Sequence, residues 1–215
     1  MKPVICLVTD RRRLSGGSEA ALIDRIAAAA RAGVHLIQIR ERDLDARALT
    51  RIAAAAVDAA RGTSARILVN DRTDVALAAG AHGVHLRGDS VAAARVREIV
   101  PPGFLVGRSV HSPEEAERAA QAGGLDYLMF GTVFDTSSKP GLAGSGPETL
   151  AAVARVTSLP VLGIGGMTVS RMGMVAQAGA AGFAGIGLFG DFPLDSLQVV
   201  VRQASMAFDT LSRVP

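Results

Sequence analysis

Residue types that mark whole classes of protein are scarce in this chain of 215 residues. It contains one cysteine, Cys6, no tryptophan and one tyrosine, Tyr127, and aromatic residues make up only 4% of it. A single cysteine excludes a disulfide scaffold and is typical of a reducing compartment, so we expect a cytoplasmic protein. Grooves for single-stranded nucleic acid need aromatic side chains on which bases stack. Because such side chains are few, we expect no nucleic-acid partner.

Long hydrophobic runs and a strong charge imbalance are also missing. No apolar run reaches the roughly 20 residues that a membrane span requires, so no membrane partner is expected. The first residues lead into a short apolar run and then into charge without a small-residue cleavage site, which argues against a signal peptide. The 23 Lys and Arg residues and 20 Asp and Glu residues give a net charge of +3. So modest an excess suits a small anionic ligand better than a polyanion.

The residues that are plentiful are those of a globular domain. Hydrophobic residues make up 49% of the chain and charged residues 20%, which excludes a disordered chain. A chain of this length buries about 70% of its unfolded surface, which is enough for a core without a disulfide or a metal ion. We therefore predict a single compact domain over residues 1–215. Its size permits a homodimer without indicating one.

Short apolar runs alternate with alanine-rich stretches along the whole chain. The runs occupy residues 4–8, 34–39, 66–69, 83–86, 104–106, 127–130, 160–164 and 182–186. Stretches with helical spacing, such as 19–32, 46–61, 113–122 and 150–156, lie between most of them. This alternation predicts an α/β protein, and eight units of about 27 residues fit a (β/α)₈ TIM barrel. A doubly wound open sheet is the alternative, but no Gly-x-Gly-x-x-Gly turn follows the first strand.

In a TIM barrel the functional residues come from the C-terminal ends of the strands. Gln38, Arg40 and Arg42 alternate at the end of the second strand, which places them on one face. The other polar or glycine-rich strand ends are Asn70-Asp71, 85–89, 109–111, the loop 131–146, 163–166 and Ile186-Gly187. We expect these residues to meet at one mouth of the barrel.

The strand ends predict two anion sites and one cation site. Glycines after the seventh and eighth strands let backbone N–H groups approach a phosphate, and Thr136 and Ser138 add hydroxyl donors. Arg40 and Lys139 supply positive charge for a second, more highly charged group. Asp71 is an oxygen ligand suited to Mg²⁺ that is shared with substrate phosphates. The pattern indicates one phosphorylated and one diphosphorylated substrate, with diphosphate as the leaving group.

Most of these residues also have a purely structural interpretation. Asn70-Asp71 could cap the helix that follows, and Arg40 could pair with Glu41 or Asp43. The histidines could belong to the scaffold, and the arginine run could be a solvated loop; these residues are His35, His82, His85, His111 and Arg11–Arg13.

Six motifs, in order along the chain, resemble the thiamine phosphate synthase superfamily, which also contains the thiazole tautomerases. They are QIRERDL at 38–44, ND at 70–71, GVHL at 83–86, GRSVHS at 107–112, FGTVFDT at 130–136 followed by Lys139, and GIGGMT at 163–168. The similarity extends from the first predicted strand to the eighth.

The resemblance implies a synthase that joins hydroxymethylpyrimidine diphosphate to thiazole phosphate and releases diphosphate with the help of Mg²⁺. Arg40, Ser109 and Lys139 then act as catalytic residues, and Asp71 with Asp89 as metal ligands. Substrate binding is expected of Gln38, Arg40, Arg42 (in place of a lysine), Asn70, Ser109, Thr136, Ser137, Ser138, Lys139, Gly166, Ile186 and Gly187.

Two of the departures from these patterns keep alternatives open. The second metal-binding Asp of the synthases corresponds to Ser90, so Asp89 lies one residue early. The proton-transferring His of the tautomerases corresponds to Thr132, which cannot act as a general base near neutral pH. The synthase is favoured because it matches Gln38, Asn70, Asp71, Ser109 and Lys139. The alternatives are a metal-free thiazole tautomerase, in which His111 or His85 carries the proton, and a non-catalytic module that binds thiamine phosphate.

Overall fold

A computed structural model describes residues 2–136, 141 and 143–211 of the chain. Its eight parallel strands close into a barrel in sequence order. They are β1 (Val4–Val8), β2 (Leu36–Ile39), β3 (Arg66–Asn70), β4 (Gly83–Leu86), β5 (Leu105–Val110), β6 (Tyr127–Gly131), β7 (Val161–Ile164) and β8 (Gly182–Gly185). Val4 of β1 faces Gly182 of β8, which closes the ring. The predicted TIM barrel is confirmed, and the open doubly wound sheet is wrong.

Helices follow the strands and pack against the outside of the barrel. They are α1 (Glu19–Arg31), α2 (Ala46–Ala59), α3 (Thr73–Ala78), α4 (Ala93–Arg97), α5 (Pro113–Ala122), α6 (Gly146–Arg155), α7 (Met172–Gln177), α8 (Gly187–Gly190) and α9 (Leu197–Leu211). Short 3₁₀ turns lie at Arg11–Arg13, Ser15–Gly17, Val169–Arg171 and Leu194–Ser196. Within the described ranges, no helix is both long and apolar enough to cross a membrane.

Side-chain caps determine where three of the helices begin. Ser18, Asp45 and Ser112 precede α1, α2 and α5. Each side-chain oxygen accepts a hydrogen bond from a backbone N–H in the first turn of its helix. Such a cap satisfies a donor that the helix itself leaves without a partner, and it stabilises a helix by about 1 kcal/mol.

Similar turns lead from α1, α3 and α7 into the next strand. Gly33, Gly80 and Gly179 have φ angles of 95°, 65° and 79° in these turns, a left-handed conformation that favours glycine. Two histidines close the same end of the barrel. Nδ1 of His35 and Nδ1 of His82 each accept a backbone N–H of the preceding strand, at 3.1 and 3.0 Å. The structural interpretation of both histidines agrees with these contacts.

Both faces of the strands are buried, which explains why the apolar runs show little alternation. In β1, Ile5 and Leu7 belong to the layer between sheet and helices, whereas Cys6 and Val8 belong to the barrel interior. The interior cluster consists of Cys6, Val8, Leu36, Leu68, Tyr127, Met129, Leu162 and Ala184. Burial raises the pKa of the Cys6 thiol to about 12, so this cysteine is an inert core residue.

Strand β5 is longer than its predicted run of residues 104–106. It continues to Val110 because Arg108 pairs with β4 and β6, and Ser109 pairs with β6. The apolar run ends before the strand does, because the last residues of β5 are polar and lie at the barrel mouth. The longer strand places Ser109 at that mouth.

Candidate active site

The carboxyl ends of the strands line a cavity of about 1160 Å³ that also extends along α4 and α5. Gln38, Arg40 and Arg42 line it from the end of β2, Asn70 from β3 and Ser109 from β5. A second cavity of about 840 Å³ lies beside it at the ends of β7 and β8 and shares part of its lining. Each is large enough for one small ligand, since such sites measure roughly 300–1,000 Å³. The mouth has room for two substrates.

A pair of amide side chains lies in the larger cavity. Gln38 is only 2% exposed, and its Nε2 donates a hydrogen bond to Oδ1 of Asn70 over 2.9 Å. The Oε1 atom of Gln38 is buried and has no hydrogen-bond partner in the part of the chain that the structure describes. An unsatisfied buried acceptor costs about 1–3 kcal/mol. This oxygen is therefore placed to accept a hydrogen bond from a ligand.

Two arginines carry positive charge at the end of β2. Arg40 is half-buried, Arg42 is exposed, and both line the larger cavity. Among residues 2–136, 141 and 143–211, neither guanidinium forms an ion pair. Burial lowers the pKa of Arg40, and the charge of Arg42 lowers it further. Because a guanidinium still stays protonated, this end of the cavity attracts anions.

The carboxylates next to these arginines pair with a different residue. Glu41 is buried, and it accepts hydrogen bonds from the Thr9 hydroxyl at 2.6 Å and from the Arg11 guanidinium at 3.1 Å. Arg11 also pairs with Asp43 at 2.7 Å. The Thr9 oxygen in turn accepts the backbone N–H of Arg40 at 2.9 Å. An ion pair of Arg40 with Glu41 or Asp43 is therefore wrong, and Thr9 fixes the backbone that carries Arg40.

A chain of hydrogen bonds connects the barrel interior with the cavity. Nδ1 of His85 lies 2.9 Å from the Tyr127 hydroxyl, and Nε2 of His85 lies 2.9 Å from the Ser109 hydroxyl. His85 on β4 and Tyr127 on β6 both pair in register with Gly107 on β5. Since a side chain at Gly107 would overlap the Tyr127 ring, this glycine lets the two residues meet across the strand.

The imidazole of His85 in this hydrogen-bond network is neutral. Burial, followed by the charges of Arg108 and Arg40, lowers the pKa of His85 to about 3. A neutral imidazole has one donor nitrogen and one acceptor nitrogen, and here both have partners. The chain therefore fixes the orientation of the Ser109 hydroxyl at the cavity wall, which gives His85 the scaffold role.

The carboxylates predicted to bind Mg²⁺ lie after β3 and after β4. Asp71 has a φ of 62°, a left-handed conformation that Asp adopts more readily than most residues. One Asp71 oxygen accepts a hydrogen bond from the Ser90 hydroxyl, and the other lies 3.7 Å from a guanidinium nitrogen of Arg87. Another nitrogen of Arg87 lies 2.6 Å from Asp89. The Arg87 guanidinium therefore lies between the two carboxylates.

This arrangement does not fit a magnesium site built from two carboxylates. A cation held by both Asp71 and Asp89 would have to displace the Arg87 guanidinium from between them, and one Asp71 oxygen already accepts the Ser90 hydroxyl. No group of three or more His, Cys, Asp or Glu side chains among the described residues is placed to hold a metal ion. The predicted ligand pair, Asp71 and Asp89, is bridged by an arginine.

The residues predicted to hold a second phosphate line the smaller cavity. Gly166, with a φ of 60°, lies there with Thr136, Ile186 and Gly187. The structure thus brings these four positions together at the ends of β7 and β8. The other members of the predicted site, Ser137, Ser138 and Lys139, lie outside the described residues, so their roles stay predictions.

The run Arg11–Arg13 is an anchored segment and not a solvated loop. Arg13 lines both cavities and donates two hydrogen bonds to Asp191 after α8, at 2.7 and 3.0 Å. Arg11 ties the same segment to the end of β2. Only Arg12 is exposed, and it pairs with Asp10. The segment after β1 is thereby held at both sides of the mouth.

The tautomerase interpretation needs a residue that transfers a proton, and three positions bear on it. Thr132 is 5% exposed where the tautomerase pattern has a histidine. His111 lines the larger cavity, and its Nδ1 lies 2.5 Å from the carbonyl oxygen of Gly131. A carbonyl only accepts hydrogen bonds, so Nδ1 of His111 carries a proton. His85 has partners at both nitrogens.

Sequence reasoning missed three residues that hold the site in place. Thr9 fixes the end of β2, and Tyr127 fixes His85. Arg108 donates to the carbonyl oxygens of Gly88 and Ser90, at 3.0 and 3.3 Å, and so fixes the turn after β4. Inward alternation along β6 could have identified Tyr127, whereas the other two contacts follow only from the barrel geometry.

The chain is similar to proteins of one family over most of its length. The family model described as thiamine monophosphate synthase (TMP-TENI) matches residues 5–189. The thiamine-phosphate synthase of Roseiflexus sp. (strain RS-1) is 42% identical over 182 residues, which cover 84% of this chain and 75% of that protein. The thiamine-phosphate synthase of Chlorobium luteolum is 36% identical over 183 residues, which cover 85% and 82%.

Solved structures show the same relationship in three dimensions. A thiamine phosphate pyrophosphorylase from Pyrococcus furiosus superposes with a TM-score of 0.81 at 28% identity, and the match covers 96% of both chains. A 3-hexulose-6-phosphate synthase superposes with a TM-score of 0.70 at 17% identity, a likeness that shows the shared fold alone.

Proposed function

The chain belongs to the thiamine monophosphate synthase family, and on this basis we propose that it is a thiamine-phosphate synthase, a transferase. Its substrates are hydroxymethylpyrimidine diphosphate and thiazole phosphate, and its products are thiamine phosphate and diphosphate. One observation on this chain's own residues supports the assignment as a synthase. The Gln38–Asn70 amide pair lies in the same cavity as Arg40, and within the described residues the Gln38 oxygen has no hydrogen-bond partner and the Arg40 guanidinium no ion pair.

The amide pair binds the pyrimidine ring. The unsatisfied Oε1 of Gln38 accepts a hydrogen bond from the exocyclic amino group, and the Asn70 amide nitrogen donates one to the pyrimidine diphosphate. Burial strengthens this recognition, because a ring without the amino group would leave the Gln38 oxygen without a partner. With only 4% aromatic residues in the chain, recognition by hydrogen bonds matters more than stacking.

The positive charge at the end of β2 binds the diphosphate. Arg40 and Arg42 line the cavity next to the amide pair, and Lys139 adds a third cation by the family pattern. The Ser109 hydroxyl, which His85 holds in place, donates a hydrogen bond to a diphosphate oxygen. A planar guanidinium forms two parallel hydrogen bonds with such a group, which orients it as well as binding it.

Catalysis is electrostatic and needs no side-chain nucleophile. The bond between the pyrimidine methylene carbon and the diphosphate oxygen breaks, and the electron pair stays on the diphosphate. Arg40, Ser109 and Lys139 stabilise the charge that develops there. The nitrogen lone pair of the thiazole then forms the new C–N bond to the methylene carbon. The thiazole phosphate is held by Gly166, Thr136, Ile186 and Gly187 in the smaller cavity, together with Ser137 and Ser138.

A Mg²⁺ requirement is consistent with the family in general, but the donor set around Asp71 gives it no support in this chain.

Two further properties belong to the proposal. A cytoplasmic location is supported by the single, buried Cys6. A homodimer is the oligomeric state to test, and light scattering on the full chain measures it directly.

The test is an assay for thiamine phosphate. The full chain is incubated with both substrates, with and without Mg²⁺, and we expect thiamine phosphate and diphosphate in equal amounts. Gln38→Leu serves as a matched variant that keeps the volume of the side chain and removes its acceptor. No product at high enzyme concentration in either condition would contradict the synthase.

The same preparation decides between the alternatives. Conversion of the exocyclic thiazole carboxylate phosphate to its aromatic tautomer, without thiamine phosphate synthesis, would establish the tautomerase. Tight binding of thiamine phosphate without either reaction would establish the non-catalytic module.

A further inference from the structure

We infer that Arg87 binds the diphosphate group and supplies there the positive charge that a divalent metal ion would otherwise supply. The inference rests on the proposed function, because it assigns a residue of the same mouth to the diphosphate of the pyrimidine substrate. It goes beyond the predicted site, which placed two metal ligands around this point and left Arg87 without a role.

The first observation is that Asp71 is already engaged. The Ser90 hydroxyl donates a hydrogen bond to one Asp71 oxygen and accepts the backbone N–H of Arg87 at 2.9 Å. Ser90 thus closes the turn after β4 onto the end of β3. A serine at this position binds Asp71 directly, whereas a carboxylate there would repel Asp71 unless a cation lay between them.

The second observation is the position of the guanidinium. Arg87 has one nitrogen 3.7 Å from Asp71 and another 2.6 Å from Asp89, and its side chain lines the larger cavity with Arg40 and Asn70. A single cation therefore already bridges two carboxylates at the mouth. Because a guanidinium has five N–H donors, it can keep Asp71 and bind a diphosphate oxygen as well.

The third observation is that the contact with Asp89 can be exchanged easily. The side chains of Arg87 and Asp89 are 51% and 70% exposed, and ion pairs as exposed as this contribute little to stability. A diphosphate carries more negative charge than a carboxylate and binds a guanidinium in a bidentate manner. Diphosphate therefore competes well with Asp89 for Arg87.

The backbone that carries Arg87 is held in place. Arg108 on β5 donates to the carbonyl oxygens of Gly88 and Ser90, at 3.0 and 3.3 Å, and also to that of Val91. The exchange of partners then needs only a side-chain rotation of Arg87. When the C–O bond breaks, the electron pair remains on the diphosphate, and Arg87 and Arg40 together stabilise the charge.

The test is a calorimetric titration of inorganic diphosphate into the full chain in the presence of EDTA. Wild type should bind, and Arg87→Ala should bind about 10- to 100-fold more weakly, as expected for the loss of hydrogen bonds between charged groups. Arg95→Ala is the matched control, because Arg95 is an exposed arginine of α4 that pairs with Glu98. It should bind like wild type. Arg87→Lys, which keeps the charge, should lie between wild type and Arg87→Ala, and thermal melting confirms that each variant is folded.

A second variant reverses the substitution at the turn. Ser90→Asp places a second carboxylate next to Asp71, so diphosphate binding in EDTA should weaken, and added Mg²⁺ should restore it by at least about tenfold. Wild type should gain much less from Mg²⁺, both in diphosphate binding and in the rate of thiamine phosphate formation.

Two results would overturn the inference: equal diphosphate affinity of wild type and Arg87→Ala in EDTA, or binding by wild type only when Mg²⁺ is present. If wild type forms thiamine phosphate with Mg²⁺ under either result, the proposed function stands while the role of Arg87 falls. If titrations follow the expectation but no thiamine phosphate forms under any condition, the role of Arg87 as a diphosphate ligand stands and the proposed function falls.

Discussion

The ends of β2 and β4 both bring arginines into the barrel mouth, but only one of them pairs its arginine with carboxylates. At β4, Arg87 lies between Asp71 and Asp89. At β2, Arg40 and Arg42 have no carboxylate partner in the described part of the chain, because the neighbouring carboxylates pair with the segment after β1.

The difference distinguishes an arginine whose charge is neutralised within the folded protein from one whose charge is left for a ligand. A half-buried guanidinium without a counter-ion lowers the stability of the free protein, because its hydration is reduced and nothing replaces it. Arg40 has this environment, and burial lowers its pKa. The β2 end is therefore prepared for an anion, whereas the β4 end must first exchange one partner.

The largest effect is expected from removing the charge of Arg40. Arg40→Ala should lower kcat/KM for the pyrimidine diphosphate by about 10²–10³-fold, the usual loss when one donor to a developing negative charge is deleted. Arg51→Ala is the control, since Arg51 is an exposed arginine of α2 that pairs with Glu19. Steady-state kinetics of thiamine phosphate formation measures both. Equal losses in the two variants would remove the distinction between paired and unpaired arginines.

A smaller effect is expected from the neutral part of the β2 end. Gln38→Leu should lower kcat/KM for the pyrimidine diphosphate by about 10- to 100-fold, because it deletes one buried hydrogen bond to the ring. The KM for thiazole phosphate should stay close to that of wild type. If both substrates are affected alike, the amide pair does not define a separate pyrimidine site.

His85 should make the stability of the protein depend on pH. The pKa of His85 is about 3 in the folded protein, against about 6.5 when unfolded. Below pH 6.5 the unfolded chain takes up a proton that the folded protein does not bind. Stability is therefore full above pH 6.5 and falls toward pH 3, by up to about 1.4 kcal/mol per pH unit.

His85→Gln should remove this contribution. Urea denaturation of wild type and His85→Gln between pH 4 and 7 measures the difference in slope. His35 and His82 also have pKa values lowered by burial, so they add a background of the same sign to both proteins. Parallel stability curves for wild type and variant would show that His85 is not a buried neutral residue.

The smallest effect is expected from the hydroxyl that supports Arg40. Thr9→Val removes the hydrogen bonds to Glu41 and to the backbone N–H of Arg40, and should cost about 1–2 kcal/mol of stability. Activity should fall several-fold, since the Arg40 backbone loses its acceptor. Thr50→Val is the matched control, because the Thr50 hydroxyl donates to the Ala46 carbonyl oxygen within α2. A drop in stability without any change in kcat/KM would confine Thr9 to a structural role.

The fold and the position of the site could be predicted because both follow from local patterns. Strands buried on both faces give apolar runs, and their C-terminal ends give polar residues such as Gln38, Asn70 and Ser109. A barrel brings such ends together whatever the loops do.

The partners of these residues could not be predicted, because they depend on which strands are neighbours and in which register. Arg11 reaches Glu41 across 30 residues of sequence, and His85 reaches Tyr127 across 42. The resemblance to the synthases implies that Ser90 replaces a metal-binding Asp, but only the structure places the Arg87 guanidinium between Asp71 and Asp89.

A crystal structure of the full chain with inorganic diphosphate in the presence of EDTA tests most directly whether Arg40 and Arg87 bind the diphosphate. Diphosphate oxygens within hydrogen-bond distance of the Arg40 and Arg87 guanidinium groups, with Arg87 released from Asp89, are the expected result. Diphosphate bound only in the smaller cavity at the ends of β7 and β8, with Arg40 without contact and Arg87 still between Asp71 and Asp89, would contradict it.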